Sequence, residues 1–368
     1  MLQILLYIFI GVIAIQFIYY IGIFSKFTFS KPLKKSAVNL PVSVIVCAKN
    51  EAENVKELVP FLLNQNYHDY EIVLIDDASS DETLELFEEF ERQSNKIKLV
   101  KVQNNEAFWG NKKYALTLGI KAARKPYLLF IEADCMPSSE NWIAEMTSNF
   151  ADKKSIVLGY GKYAKIKGSF LNKLIRFETM LTAIQYFAWA KVGHAYMGVG
   201  RNLAYTKDEF FRVNGFIEHM SVRSGDDDLF VNQAATKRNT VVCYTPESFT
   251  VSEPKKSYKD WFRQKRRHVS TAKHYKSFDK LQLGMFYIFN VLFFILAIIL
   301  LSFQFNWMIV TGLIAFRYLF TWLSLGFGAG KLHEKDVILL YPIFEIGLIF
   351  THFAVFVTNL FSKPVHWK

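Results

Sequence analysis

Cysteine is scarce in this chain. Cys47, Cys135 and Cys243 are its only three in 368 residues. They are odd in number, far apart and without the close spacing of a metal site. That excludes a disulfide framework and points to a reducing compartment. Internal repeats and low-complexity tracts are also missing, which excludes a repeat array or a disordered linker protein. The apolar stretch at residues 2–24 has no basic segment before it and no small-residue cleavage pattern. A membrane anchor is therefore expected there rather than a signal peptide. Aromatic residues are not interleaved with the basic run near residue 265, which argues against a single-stranded nucleic-acid binder and for no nucleic-acid partner.

What is abundant is greasy and basic. Hydrophobic residues make up 51% of the chain and aromatics 16%, mostly Phe and Tyr, and the excess lies largely at the two ends. The formal charge of +11 predicts attraction to anionic lipid, to phosphates, or to both. Lys26, Lys31, Lys34 and Lys35 follow the first apolar stretch at once, which favours a cytoplasmic side after that span. Three further greasy segments, near 283–303, 307–325 and 337–361, close the chain. Arg317 and Glu345 lie inside them and should face protein or water. If all three cross, Lys363 and Lys368 fall on the far side, against the positive-inside tendency, so one segment is expected to be re-entrant or interfacial. The expected division is an anchor at 1–24, a basic linker at 25–40, one domain at 41–280 and membrane or interfacial helices at 281–362. Outside the membrane segments roughly 240–250 residues remain, enough for one large domain with its own core.

Within that domain, strands and helices alternate. Apolar, β-branched runs at 42–48, 70–75, 97–102 and 127–131 read as strands. Helices are expected at 53–63, from a Ser79-Ser80-Asp81 cap to about residue 92, and at 112–123. Repeated β-α units imply an α/β domain with a mostly parallel sheet, and ligands of such sheets sit at the carboxyl ends of the strands. Residues 169–191 form a further helix, either lying on the bilayer or packed in the core. Residues 257–276 are basic and helical in character.

Acids cluster where ligands are expected. Ala48, Asn50 and Glu51 follow the first strand, where backbone groups at a strand-to-helix junction can hold a base edge, or merely make a turn. Asp76-Asp77 ends the second strand. Ser80 and Asp81 already supply a helix cap, so the pair is left to accept hydrogen bonds from a base and a ribose. Glu132-Ala133-Asp134 follows the fourth strand and can share a hard cation, Mg²⁺ or Mn²⁺, and a ribose; a solvated strand end is the bland alternative. Asp226-Asp227-Asp228 places three acids in a row, more than a helix start needs. Mutual repulsion should raise at least one pKa, and a carboxylate so placed can remove a proton from a hydroxyl. Gln264-Lys265-Arg266-Arg267-His268 offers guanidinium forks to a diphosphate, or a patch for anionic lipid.

In this order the five motifs resemble those of the family 2 glycosyltransferases with a GT-A fold, over about residues 40–275. The resemblance implies that Asp76 or Asp77 contacts the nucleotide. Lys112 with Ala115 and Leu116 is similar to a Lys-x-x-Ala-Leu element near it. Asp134 matches the second acid of the metal-binding Asp-x-Asp motif, with Glu132 in place of the first. Asp227 is implied to be the base, with Asp226 where a glutamate is usual. Gln264 and Arg267 match a Gln-x-x-Arg-Trp motif in which His268 stands for the tryptophan. Gly198 to Asn202, including Arg201, resembles a loop lining the acceptor side.

The resulting expectation is an inverting, metal-dependent transferase. It would use a nucleotide-diphosphate sugar and a lipid or lipid-linked acceptor. It would be multi-pass in the inner cell membrane with its catalytic domain in the cytoplasm. A processive polysaccharide synthase and a catalytically inactive membrane scaffold are the alternatives.

Overall fold

The computed structural model describes residues 1–32, 39–103 and 112–362. Lys34, Lys35, Lys363 and Lys368, on which part of the topology argument rests, lie outside the described residues. Strands β1 (Val42–Ala48) and β2 (Tyr70–Asp76) are buried along their whole length. They can be continuous runs of Val, Ile and Leu because helices cover both faces of a parallel sheet. With β3 (Ile97–Lys101) and β4 (Tyr127–Glu132) they form its parallel core. Next come β5 (Cys135–Pro137), β6 (Ile156–Leu158), β7 (Gly161–Tyr163), β8 (Leu203–Thr206), β9 (Thr240–Val242) and β10 (Thr250–Ser252). The main sheet runs β3-β2-β1-β4-β8-β6-β9, and β8 is antiparallel to both neighbours. A small sheet, β5-β10-β7, stands beside it. The α/β architecture with a mainly parallel sheet is the one the strand pattern predicts.

The expected helices are present, as Ala52–Leu63, Thr83–Gln93 and Lys112–Ala122. One cap works differently. Ser79 and Ser80 bond to Asn50, and Asp81 takes the cap alone. Its carboxylate accepts from Thr83 N–H at 3.0 Å and reaches across to Ala52 N–H at 3.2 Å, so one acid serves the starts of two helices.

Of the two readings left open for 169–191, the structure takes the packed one. The helix Phe170–Val192 starts at Ser169, whose hydroxyl accepts from Asn172 N–H, and ends at Gly193 with φ 105°. The Phe177 ring lies 5.4 Å from Phe344 and the Phe187 ring 5.2 Å from Phe27, both tilted and both against the apolar helices. Arg176, 2% exposed, donates from Nε to Glu334 at 2.9 Å and from Nη1 to Asp336 at 2.8 Å, on the turn between the last two apolar helices. The helix is a wedge between the sheet domain and the apolar helices.

Among the described residues, four helices are long and apolar enough to cross a membrane: Leu2–Thr28, Ser277–Ser302, Trp307–Lys331 and Lys335–Phe361. The last is helical throughout, a 3-10 turn at Lys335–Leu340 running into Tyr341–Phe361. It has no chain reversal, which leaves the interfacial one of the two expected alternatives for this segment. Each helix gives one polar residue to a shared centre. Arg317, fully buried, donates to Gln16 Oε1 at 3.0 Å, Asn290 Oδ1 at 3.0 Å and Glu345 Oε2 at 2.7 Å, and stacks over Phe293 at 4.3 Å. Arg317 thus faces protein, as its cost in lipid requires. Removing one partner of a buried ion pair strands the other. Arg317→Leu should therefore cost about 3 kcal/mol, and Arg317→Leu with Glu345→Leu should cost less than the single change. Unfolding midpoints in detergent for both variants check this.

Candidate active site

The register of the parallel core sets the site. Ala48 lies opposite Asp76 across β1 and β2, and Cys47 opposite Glu132 across β1 and β4. Three strand ends therefore open side by side. Asp76 is 2% exposed and accepts from Ser79 N–H at 3.3 Å. Asp77 N–H donates to Ala48 O at 2.9 Å. Burial pushes the Asp77 carboxyl pKa up, and Lys49 pulls it partly back. Asn50 takes the left-handed conformation, φ 57°, and its side-chain oxygen accepts from Ser80 N–H at 2.8 Å. Glu51 N–H donates to Thr83 Oγ1 at 2.9 Å. Asn50 and Glu51 thus brace the turn after β1 against the turn after β2. Burial raises the Glu51 pKa.

The acid triplet meets the β4 end through a lysine. Lys112, at the start of its helix, donates to both Glu132 oxygens at 2.6 and 2.7 Å and lies 3.1 Å from Asp226. Burial opposes the Lys112 charge, yet Asp226 and Glu132 hold its pKa well above normal. The three acids then separate in character. Burial works against ionised Asp226, but Lys112 keeps its pKa below the ordinary value. Burial, then the charges of Asp226 and Asp228, push Asp227 up to about 8. Burial also raises Asp228, while hydrogen bonds from Thr271 and Tyr275 oppose the rise. The sequence argument that three adjacent acids should raise at least one pKa is met.

Gly200 N–H donates to Asp227 Oδ2 at 2.6 Å, and Asp228 N–H to Asp227 Oδ1 at 2.7 Å. A Cβ at Gly200 would stand 2.6 Å from Glu132 Oε1 and 3.4 Å from Asp227 Oδ2, so only glycine lets the two acids share this loop. The loop is more than a turn. The next residue, Arg201, stacks at 4.5 Å on the Tyr163 ring and donates to Ser252 Oγ at 3.1 Å. Asn202, fully buried, donates to Tyr160 O at 3.0 Å and Ser248 O at 2.7 Å.

The small sheet supplies the other wall. Cys135, Ser252 and Tyr163 form one row across β5, β10 and β7. Cys135 Sγ lies 2.9 Å from Ser252 Oγ and 3.3 Å from Asp134 Oδ1. Asp134 itself is exposed at the turn between β4 and β5. Gln264 Nε2 donates to Tyr163 OH at 3.3 Å, so Gln264 and Arg201 share one tyrosine. Burial lowers the Arg267 pKa while Glu132 and Asp134 pull it up, which places this cation beside the β4 acids. His268 is solvent-accessible.

Arg266, expected on the diphosphate, donates to Asn359 Oδ1 at 2.9 Å and to Ser362 O and Oγ at 2.7 Å, and so ties the basic helix to the last apolar helix. The periodicity explains it, since Arg266 and Arg267 are about 100° apart on a helix and face different neighbours. Lys265 pairs with Glu178 on the wedge helix.

Residues 43–209 match the model of the glycosyl transferase family 2. Over that stretch, a little under half of the chain, the sequence is similar to family 2 glycosyltransferases. An uncharacterized glycosyltransferase of Haemophilus influenzae is 30% identical over 125 residues, 34% of this chain and 37% of that protein. Glycosyltransferase GlyG of Streptococcus pneumoniae is 29% identical over 131 residues, 35% of this chain and 42% of that one. The chain thus spans well under half the length of these relatives. Among solved structures, the mannosyltransferase PcManGT from Pyrobaculum calidifontis, in complex with GDP-Man and Mn²⁺, has a TM-score of 0.57 at 17% identity. The alignment covers 94% of this chain and 97% of that one. The fold is GT-A-like α/β, with several long apolar helices at its two ends.

The α/β domain also contains a residue no motif singled out. Lys113, fully buried, donates from Nζ to the carbonyls of His219, Val222 and Ser224, each at 2.8 Å, and so clips the loop that leads into the acid triplet. Burial lowers its pKa to about 8. Sequence offered one signal, a second lysine at an otherwise apolar helical position. Tyr163, Ser252, Thr271 and Tyr275 carried no signal, since each acts through a partner far away in the chain.

Lys112→Met tests the buried cation. It leaves Glu132 and Asp226 without their charge partner and should cost about 3–5 kcal/mol at neutral pH. In the wild type the depressed Asp226 pKa contributes stability above its unfolded value that is lost on acidification. The gap between variant and wild type should therefore narrow as pH falls, which denaturation at several pH values measures.

Proposed function

We propose that this chain is an inverting glycosyltransferase. It moves a sugar from a nucleotide-diphosphate donor to a hydroxyl or phosphate of a lipid or lipid-linked acceptor at the cytoplasmic face of the inner membrane. The observation that carries the reading is Asp227. It is a buried carboxyl with a raised pKa, held by two backbone N–H groups, and it opens beside the acids at the strand ends.

Glu132, Asp76 and Asp77, with the backbone around Ala48, Asn50 and Glu51 and with Lys112 behind Glu132, form the donor nucleotide pocket. The acceptor side is lined by Arg201, Asp226, Gln264 and His268. Asp227 takes the proton from the acceptor hydroxyl, and the raised pKa makes it a stronger base than an ordinary carboxylate. Arg267 faces the growing charge of the leaving diphosphate, where a positioned guanidinium is most effective. Asp134 is an exposed oxygen donor, the kind of lone carboxylate by which Mg²⁺ or Mn²⁺ is held together with substrate phosphates and waters. When bound, the ion would neutralise charge on the leaving group. One base and one displacement leave the anomeric configuration inverted, with no sugar–enzyme intermediate. Lys26 and Lys31, just after the first apolar stretch, support a cytoplasmic domain, and four apolar helices support a membrane-held acceptor.

The test is purified full-length protein in detergent, a panel of nucleotide sugars that includes GDP-mannose, and a lipid extract, with mass analysis of products. A glycolipid of inverted configuration by NMR is expected. A retained configuration, or no product from any donor, rejects the reading. Asp227→Asn should lower turnover by about 10²–10⁴-fold while GDP or UDP binding persists. The base acts only when ionised, so kcat/KM should rise with pH towards a plateau above about 8 and fall as Asp227 is protonated.

A further inference from the structure

The helix Asp228–Ala234 carries Asp227 at its N-cap. Two of its residues, Asp228 at 8% and Asn232 at 4% exposure, are buried and polar. Asp228 Oδ2 accepts from the Thr271 hydroxyl and from Tyr275 OH at 2.7 Å. Asn232 Oδ1 accepts from Lys276 N–H at 3.0 Å, and its Nδ2 donates to Asp279 Oδ2 at 2.9 Å and Tyr196 O at 3.0 Å. Thr271 ends the basic helix Tyr258–Thr271, which bears Gln264 and Arg267. Asp279 stands in the first turn of the apolar helix Ser277–Ser302. One short helix therefore grips both ends of the connector 271–279. A third buried acid beside Asp226 and Asp227 is electrostatically unfavourable, and a helix start does not need it. The two hydroxyls are what hold it there.

We propose that Asp228 and Asn232 are positioning residues that fix Asp227 to this connector, so that the base, the arginine-bearing helix and the first C-terminal membrane helix keep one spacing. The proposal rests on the reading of Asp227 as base. It also gives the acceptor's reacting group a set height above the bilayer.

The experiment uses full-length protein in detergent with Thr271→Val, Tyr275→Phe and both together. Each removes a hydroxyl at little change of volume, and thermal unfolding confirms that each folds. GDP and UDP binding with Mn²⁺ is measured by calorimetry, and turnover with the donor and lipid extract that give product in the panel. Because a displacement near 1 Å far from the chemistry can cost up to about 10²-fold, the double variant should lose about tenfold or more in kcat. Nucleoside-diphosphate affinity should hold within about twofold, since the nucleotide pocket lies at the strand ends. Thr271→Ser, which keeps the hydroxyl, should retain the wild-type rate. Wild-type kcat in the double variant, or an equal loss of diphosphate binding and turnover, overturns the tether. Asp227→Asn run beside it separates the two failures: an inert Asp227→Asn with a normal double variant removes only the tether, whereas an active Asp227→Asn removes the base and the tether's purpose together.

Discussion

One buried cation makes the rest of the site possible. Glu132, Asp226, Asp227 and Asp228 converge where the sheet ends, and four carboxylates cannot be desolvated together without compensation. Lys112 stands between Glu132 and Asp226 and takes up that repulsion. Its charge divides the triplet, holding Asp226 low and leaving Asp227 and Asp228 high. Gly200 completes the arrangement, because any side chain there would push against Glu132. The raised Asp227 carboxyl, the acids at the strand ends and the loop between them are thus consequences of one lysine and one missing Cβ.

The same economy of charge joins the domain to its apolar helices. Arg176 is locked to Glu334 and Asp336, Lys265 to Glu178, and Arg266 to the end of the last helix. Deeper in the bundle, Arg317 collects one polar partner from each of the other three helices. Apolar helices in lipid gain little from burying more apolar surface, so polar contacts of this kind set their register. Nearly all of these cations work as fasteners. The basic stretch that looks from its composition like one phosphate-binding patch is divided among a tie to the last apolar helix, an ion pair and a cation beside the β4 acids, residue by residue.

The sheet was legible in the sequence because parallel strands buried on both faces must be continuous apolar runs, and the acids at their ends had no capping role to explain them. The motif spacing also singled out Asp134, Asp227, Gln264 and Arg267 as candidates. Arg317 was correctly expected to avoid lipid, though its partners Gln16 and Asn290 were not foreseeable, since the helices that carry them meet only in the bundle. The small sheet was missed because strands of three residues leave no periodicity to detect.

What the chain determined alone was local and patterned: strand and helix periods, membrane-length apolar segments, and acids placed just after strands. Those follow from backbone geometry and side-chain polarity over a few neighbouring residues. Tertiary structure decided which acid shares Lys112, that Arg266 serves the last helix while Arg267 faces the cleft, and that Asp228 holds the connector. Each of those depends on distances between residues dozens of positions apart, and the energy of a buried charge is set by whichever groups the fold brings within a few ångströms of it.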